Sequence, residues 1–400
     1  MVAYQQFVEL SQSRDSEARG QAAHLAAMAF VGHSGPAVEQ AALYAALIGF
    51  LDDPSVKVRA ALAYGLLHAK CAPRPIMMSL LHDAPVIARA VAQYSPVLVD
   101  ADLLAVIKTT ELEMLRVIVD RPNMSSRIAH ALLSRDILSV SLAVLKRQDV
   151  AISDKYLEKL ASELSDNSTV RGVLLEREDL PAAVRLNLIE KISGIFATAR
   201  IVKGAIAPRR LDRMIRDATS SALTSIGEVE AAEARSAYAI NLVQNDRINA
   251  RLMLHAVTSG HVLFFADCLA IITELPRDKV FTLLDRGSRA ALNALFAKCG
   301  LSESMRNLMA RLIFHARTAD LADDLAARHF IVTSLVDEMI IEHDGVIPPS
   351  LEEAFSYLNE QNIMLARRAA RGVMSAFADE VGEERALPSP EEPVLALPAA

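Results

Sequence analysis

The sequence predicts an all-α protein, an α-solenoid of stacked antiparallel helix pairs, and three observations carry that expectation. Only 15 Gly and 16 Pro occur in 400 residues, too few for the turns of an all-β chain of this length. Hydrophobic residues make up 52% of the chain, much of it alanine, while aromatics stand at 5% and Trp is absent. Alanine suits close helix packing, and so few large rings do not suit a β core. The third observation is a pattern that returns along the chain, the mark of a repeat architecture.

Leu51–Tyr64 (LDDPSVKVRAALAY) and Leu81–Tyr94 (LHDAPVIARAVAQY) align at an offset of 30 residues with six identities: Leu51/Leu81, Asp53/Asp83, Val56/Val86, Arg59/Arg89, Ala60/Ala90 and Tyr64/Tyr94. The shared pattern is Asp or Asn, an apolar residue three later, Ala or Val five later and Arg six later. It recurs at Asp179–Ala182–Val184–Arg185 and Asn245–Ile248–Ala250–Arg251, and with Gln first at Gln361–Met364–Ala366–Arg367. Each position has a physical reason. Asp or Asn ahead of an apolar-periodic run accepts hydrogen bonds from the unpaired N–H groups of a first turn. Pro54 and Pro85 fall in that first turn, where a missing N–H costs little. Val56, Ala60, Ala63 and Leu67 share one stripe at helical spacing. The Arg on its flank can reach the carboxylate or amide of its own or a neighbouring repeat. The expected ladder is thus Asp53, Arg59, Asp83, Arg89, Asp179, Arg185, Asn245 and Arg251. One helix cannot bury such a stripe, so successive helices must stack.

The run Asp53-Pro54…Val58-Arg59-Ala60…Ala63 resembles the second helix of a HEAT repeat, with its Asp and Arg ladder positions. More narrowly, Leu51–Ala63, Ser95–Ile107, Asp120–Leu132 and Arg177–Ser193 are similar to a bacterial HEAT-like family known as domain of unknown function 2336. The stretches Ser259–Leu275 and Leu292–Leu301 are similar to its distal part, so that the likeness spans roughly residues 40–300. It implies a HEAT-like solenoid and transfers no active site.

Four parts are expected along the chain. Residues 1–194 hold N-terminal helical repeats, opening with helices Ala18–Val31 and Ala37–Leu51 around Gly32-His33-Ser34-Gly35-Pro36. Residues 195–225 form a basic connecting segment with one amphipathic helix, Arg209–Leu223. Residues 226–378 carry C-terminal repeats, entered through an acidic helix near Glu228–Leu242. Residues 379–400, acidic and marked by Pro388, Pro390, Pro393 and Pro398, read as a disordered tail. The pattern leaves open whether the two halves make one array.

A net charge of −7 argues against general affinity for nucleic acid or anionic membrane. No apolar run reaches the length of a membrane span, and Met1–Leu10 lacks the basic and apolar parts of a secretory leader. Three separated cysteines, Cys71, Cys268 and Cys299, read as buried thiols of a cytoplasmic protein.

Motifs for chemistry are missing. No GxxxxGK[ST] or GxGxxG segment is present, and Gly32-His33-Ser34-Gly35 lacks the GxSxG spacing of a nucleophile elbow. His255, His261, Asp267 and Cys268, or Glu338, Glu342, His343 and Asp344, fit no metal-ligand spacing, so neither metal nor cofactor is expected. Phe264, Phe265, Phe281, Phe296 and Phe314 have the spacing of core rings. The expectation is therefore a non-enzymatic scaffold or adaptor for another protein. The alternative is a regulatory module that takes nucleic acid or a phosphorylated ligand on the basic run Arg200, Lys203, Arg209, Arg210, Arg213 and Arg216. Arg209, Arg210, Arg213 and Arg216 are its candidate contact residues.

Overall fold

The structure, a computed structural model, describes residues 2–319, 321 and 324–384. These residues form twenty-three helices and no strand, so the chain is all-α. They fall into two compact units, Met1–Leu188 and Ile189–Ala400.

The first unit runs through α1 (Val2–Ser11), α2 (Ser16–Gly32), α3 (Ala37–Leu51), α4 (Val56–Leu66), α5 (Arg74–Leu81), α6 (Pro85–Tyr94), α7 (Asp100–Thr109), α8 (Leu112–Val119), α9 (Ser126–Leu133), α10 (Leu138–Leu145), α11 (Asp154–Leu164), α12 (Ser168–Glu176) and the start of α13 (Ala182–Thr198). Each odd helix from α3 to α11 packs on the even helix that follows it. The even helices α2 to α12 also touch in series, each against the next even one. That is the contact order of stacked pairs, and one core runs through it from Ala22 to Leu188. The small residues explain the closest approach. A methyl group on Gly65 of α4 would stand 2.5 Å from the Ala27 side chain of α2, so only Gly lets these helices meet as they do.

The second unit holds the rest of α13, then α14 (Arg200–Ala205), α15 (Pro208–Ala232), α16 (Ala237–Gln244), α17 (Ala250–Thr258), α18 (Val262–Thr273), α19 (Arg277–Arg286), α20 (Arg289–Lys298), α21 (Glu303–Ala316), α22 (Leu325–Glu342) and α23 (Pro349–Glu384). Phe264, Phe265 and Phe296 are core rings as expected, whereas Phe314 is exposed beneath the Arg317 guanidinium.

Several boundaries differ from those expected. The two units divide inside α13 rather than at residue 194. Residues 195–225 are not a connection, because α15 buries Leu211, Leu223 and Thr224 and packs on α17 and α18. Beyond Leu223 its buried face is built from the small residues Thr224, Gly227 and Ala231, which give little hydrophobic signal in sequence. Gly227 shows how: an added methyl group would come within 2.2 Å of the Phe264 ring. The acidic helix expected over Glu228–Leu242 is broken where Ala234 takes a left-handed φ of 56°, separating α15 from α16. The helix expected to stop near Asp379 continues to Glu384, and residues 385–400 of the expected tail lie outside the described residues. Cys268 is buried and Cys299 half-buried, but Cys71, in the turn between α4 and α5, is exposed.

Candidate functional site

The first unit is tied together by arginines, and two of them, Arg59 of the expected ladder and Arg19 outside it, hold its first two Asp positions. Arg59 of α4 grips Asp83 with both arms, at 2.6 and 2.7 Å, and also donates to the Asp53 carbonyl at 2.7 Å. Arg19 of α2 holds Asp53 in the same two-pronged way at 2.7 and 3.1 Å. Hydrogen bonds from these guanidiniums hold both carboxyls below the usual Asp range. Each Asp also accepts from the backbone ahead of its helix, Asp53 from Ser55 and Asp83 from Ala84. The same carboxylate thus starts one helix and fastens the repeat before it.

Further along, a second arginine device takes over. Arg121 donates to the carbonyls of Ala92 and Ser95, Arg135 to Ile107 and Lys108, and Arg147 to Val119 and Arg121. Arg177 reaches Leu145, Arg147 and Val150, and Arg317 of the second unit reaches Leu283, Leu284 and Gly287. Each sits just past the C-terminus of its own helix and caps the carbonyl end of an earlier one, where a cation also opposes the helix dipole. Sequence reasoning missed this set. Its signal was present as Arg directly after each apolar run: Asp120-Arg121, Ser134-Arg135, Lys146-Arg147, Glu176-Arg177.

The remaining ladder positions do not pair as expected. The Arg89 side chain is exposed and makes no ion pair or hydrogen bond among the described residues, since Asp83 is already held by Arg59. Arg185 turns to the carbonyls of Leu175 and Arg177, because Arg177 occupies Asp179. Asn245 ends α16 and bonds back to Asn241, while Asn249 caps α17. Gln361 lies inside α23 and opens no helix.

Arg251, the last ladder residue, belongs instead to a polar cluster where α15, α17 and α23 meet. It lies 2.9 Å from Asp217 and 3.7 Å from Glu360, with its guanidinium over the Tyr357 ring. Buried His255 meets the Tyr357 hydroxyl through Nδ1 at 2.9 Å and the Ser221 hydroxyl through Nε2 at 3.2 Å. Thr258 bonds the same tyrosine at 3.0 Å, and His261 bonds Thr224 at 2.9 Å. Burial lowers the His255 pKa from 6.5 to about 4, so at neutral pH the ring is neutral and links two hydroxyls. A carboxylate on Nδ1, which would make the ring a stronger base, is replaced by tyrosine. The cluster reads as a clasp between three helices.

That clasp has a pH signature. Between pH 4 and 6.5 the unfolded chain binds a proton at His255 that the folded chain refuses. Its contribution is complete above pH 6.5 and falls by up to about 3 kcal/mol as pH drops towards 4. Denaturant titrations of wild type and His255→Gln at pH 7 and near 4.5 check this. Their stability difference should shrink with acid, and a constant difference would exclude the assignment.

The basic run lies on α14 and the first turns of α15. Arg209, Arg210, Arg213 and Arg216 are all exposed. Arg213 pairs with Glu360 of α23 at 3.0 Å, while the side chains of Arg209, Arg210, Arg216, Arg200 and Lys203 make no ion pair or hydrogen bond among the described residues. No acidic residue occupies the first turn of α15 and no side chain caps it, so Arg209 and Arg210 stand at the positive end of the helix dipole. Among the described residues, no group of three or more His, Cys, Asp or Glu is arranged to hold a metal ion. Of the second polar cluster, Glu338 and Glu342 flank Arg311 in an open groove of about 420 Å³.

The first unit carries one more feature, an exposed aromatic row. Rings from successive even helices pair: His24 of α2 with Tyr64 of α4 at 5.6 Å, and His68, just past α4, with Tyr94 of α6 at 5.5 Å. Tyr64 is 70% and Tyr94 42% exposed, and Met28, one turn beyond His24, is exposed too. The sequence signal was the Tyr64/Tyr94 identity at the 30-residue offset, which by itself marks only the repeat.

A family model described as an uncharacterised protein conserved in bacteria (DUF2336) matches residues 87–387. The match begins after Leu51–Ala63 and extends well past residue 300, further towards the C-terminus than the resemblance read from sequence. No curated protein and no solved structure matches the chain. No helix among the described residues is long and apolar enough to cross a membrane.

Proposed function

The chain belongs to the uncharacterised bacterial family DUF2336, and from that premise we propose that it is a non-enzymatic scaffold or adaptor that binds a protein partner through its helical-repeat surface. The observation that carries this reading is the aromatic row. Tyrosine presents a large, stiff, amphipathic surface at small entropic cost, and such rings dominate the energetics of protein interfaces. Here two of them stand exposed on successive helices, each held by a histidine ring of the preceding turn or helix. Packing inside the unit does not require that exposure, whereas a partner laid across the stack would use it. Three free thiols suit work in a reducing cytoplasm.

The test is retention of a specific protein from lysate by the immobilised full chain, compared with Tyr64→Ser/Tyr94→Ser. Both positions are exposed, so the variant should keep its helical circular dichroism. Wild type is expected to hold a partner that the variant loses. Retention of nothing above background, or of the same protein by both, would remove the reading.

A further inference from the structure

We propose that the face built by residues 195–216 docks an acidic, amphipathic helix of a partner protein. This goes beyond the aromatic row and shares with it only the premise that the chain works by binding.

Three observations converge on this face. The first is charge. In a chain of net −7, this stretch holds six cations, Arg200, Lys203, Arg209, Arg210, Arg213 and Arg216, against the single acid Asp212. The side chains of five of the six have no partner among the described residues, and two stand where the dipole of α15 already disfavours them. An ordinary solvated face would place acids there; an incoming carboxylate relieves the arrangement. The second is apolar exposure in the same stretch: Phe196 is 57%, Ile201 82% and Met214 49% exposed, with Ile195 beside them. Cations interleaved with large apolar side chains fit a ligand that is both anionic and apolar, which a nucleic-acid backbone is not.

The third observation selects the occupant. The row of guanidiniums on α15 already seats one acidic helix, because Arg213 binds Glu360 of α23 at 3.0 Å. Arg209 and Arg216 lie one turn to either side of Arg213 on the same helical face, and so extend a carboxylate-binding row that is only partly used. Five of the six cations are Arg, whose planar fork matches carboxylates two bonds at a time. An anionic lipid surface would instead ask for one continuous amphipathic helix. Extended backbone at Ala199 and at Ile206–Ala207 interrupts any such helix here.

The experiment is fluorescence anisotropy of the full chain with a labelled acidic peptide of about 18 residues, five turns with Glu on one face and Leu on the other. Saturable, salt-sensitive binding is expected. It should weaken at least about tenfold in Arg209→Glu/Arg210→Glu/Arg216→Glu and again in Phe196→Ser/Ile201→Ser, because both charge and apolar anchors contribute. All five positions are exposed, and unchanged circular dichroism confirms the fold. Absence of binding, equal binding by both variants, or tighter binding to phosphatidylglycerol vesicles or duplex DNA than to the peptide would overturn the proposal. Tyr64→Ser/Tyr94→Ser should leave the peptide affinity unchanged. Loss of lysate retention in that variant without any peptide binding would sink this docking face and spare the aromatic row.

Discussion

Arg177→Met should destabilise the first unit by about 3–5 kcal/mol, although methionine keeps much of the aliphatic stem. Arg177 is 1% exposed and makes five side-chain hydrogen bonds: to the carbonyls of Leu145, Arg147 and Val150, and to both oxygens of Asp179. Removing the guanidinium leaves the carbonyl at the end of α10 and two in the loop after it without their donor and frees Asp179 beside them, and unpaired buried acceptors carry the full cost of lost hydration. Because stacked helices couple chiefly to their neighbours, the loss should appear first as faster hydrogen exchange in α10 to α13. Arg89→Met is the matched control. Arg89 was expected from the sequence as a ladder residue and Arg177 was not, yet the Arg89 side chain is exposed and makes no ion pair or hydrogen bond among the described residues, so its replacement should change stability by no more than about 0.5 kcal/mol. Equal effects of the two substitutions would show that the carbonyl-capping arginines do not fasten the stack.

Val58→Asp should be of similar size, about 3–5 kcal/mol, for a different reason. Val58 is fully buried in the core of the first unit, on the helix that meets α2 through Gly65 and Ala27. At so close an approach there is no room for water to follow the carboxylate. The ladder guanidiniums of Arg19 and Arg59 are already bound to Asp53 and Asp83. Thermal melting followed by circular dichroism checks this, and a wild-type melting temperature would mean that α4 is not packed on its apolar stripe. Lys57→Asp, one residue away on an exposed face, should melt close to wild type.

These two positions show where sequence reading succeeds and where it stops. The apolar face of α4 was legible in part, because helical periodicity is local to one helix: of the expected stripe Ala63 and Leu67 are buried, but Val56 is exposed and the helix buries Val58, Leu62 and Leu66 instead. The start of the ladder was legible for a related reason, since Asp53 and Asp83 act on the backbone immediately after them. Which acid a given Arg meets is not local. A guanidinium on a long flexible stem can serve its own helix, the next one or a carbonyl some thirty residues away, and the nearest unoccupied acceptor decides. Hence Arg59 took Asp83, Arg185 lost Asp179 to Arg177, and Arg251 left Asn245 for Asp217 and the Tyr357 ring. The role of α15 was hidden for a different physical reason, as close packing against Phe264 selects Gly227, whose hydrophobic signal is nil.

By itself, then, the sequence determined that the chain is all-α and that helices must pair and stack, because patterning and capping are set by neighbours in the chain. The tertiary structure alone decided which polar groups those helices share: the carbonyl-capping arginines, the His255–Tyr357 clasp, and the five cations of α14 and α15 whose side chains find no partner among the described residues. Long polar side chains choose among acceptors distant in sequence, and only the packing of helices brings those acceptors within reach.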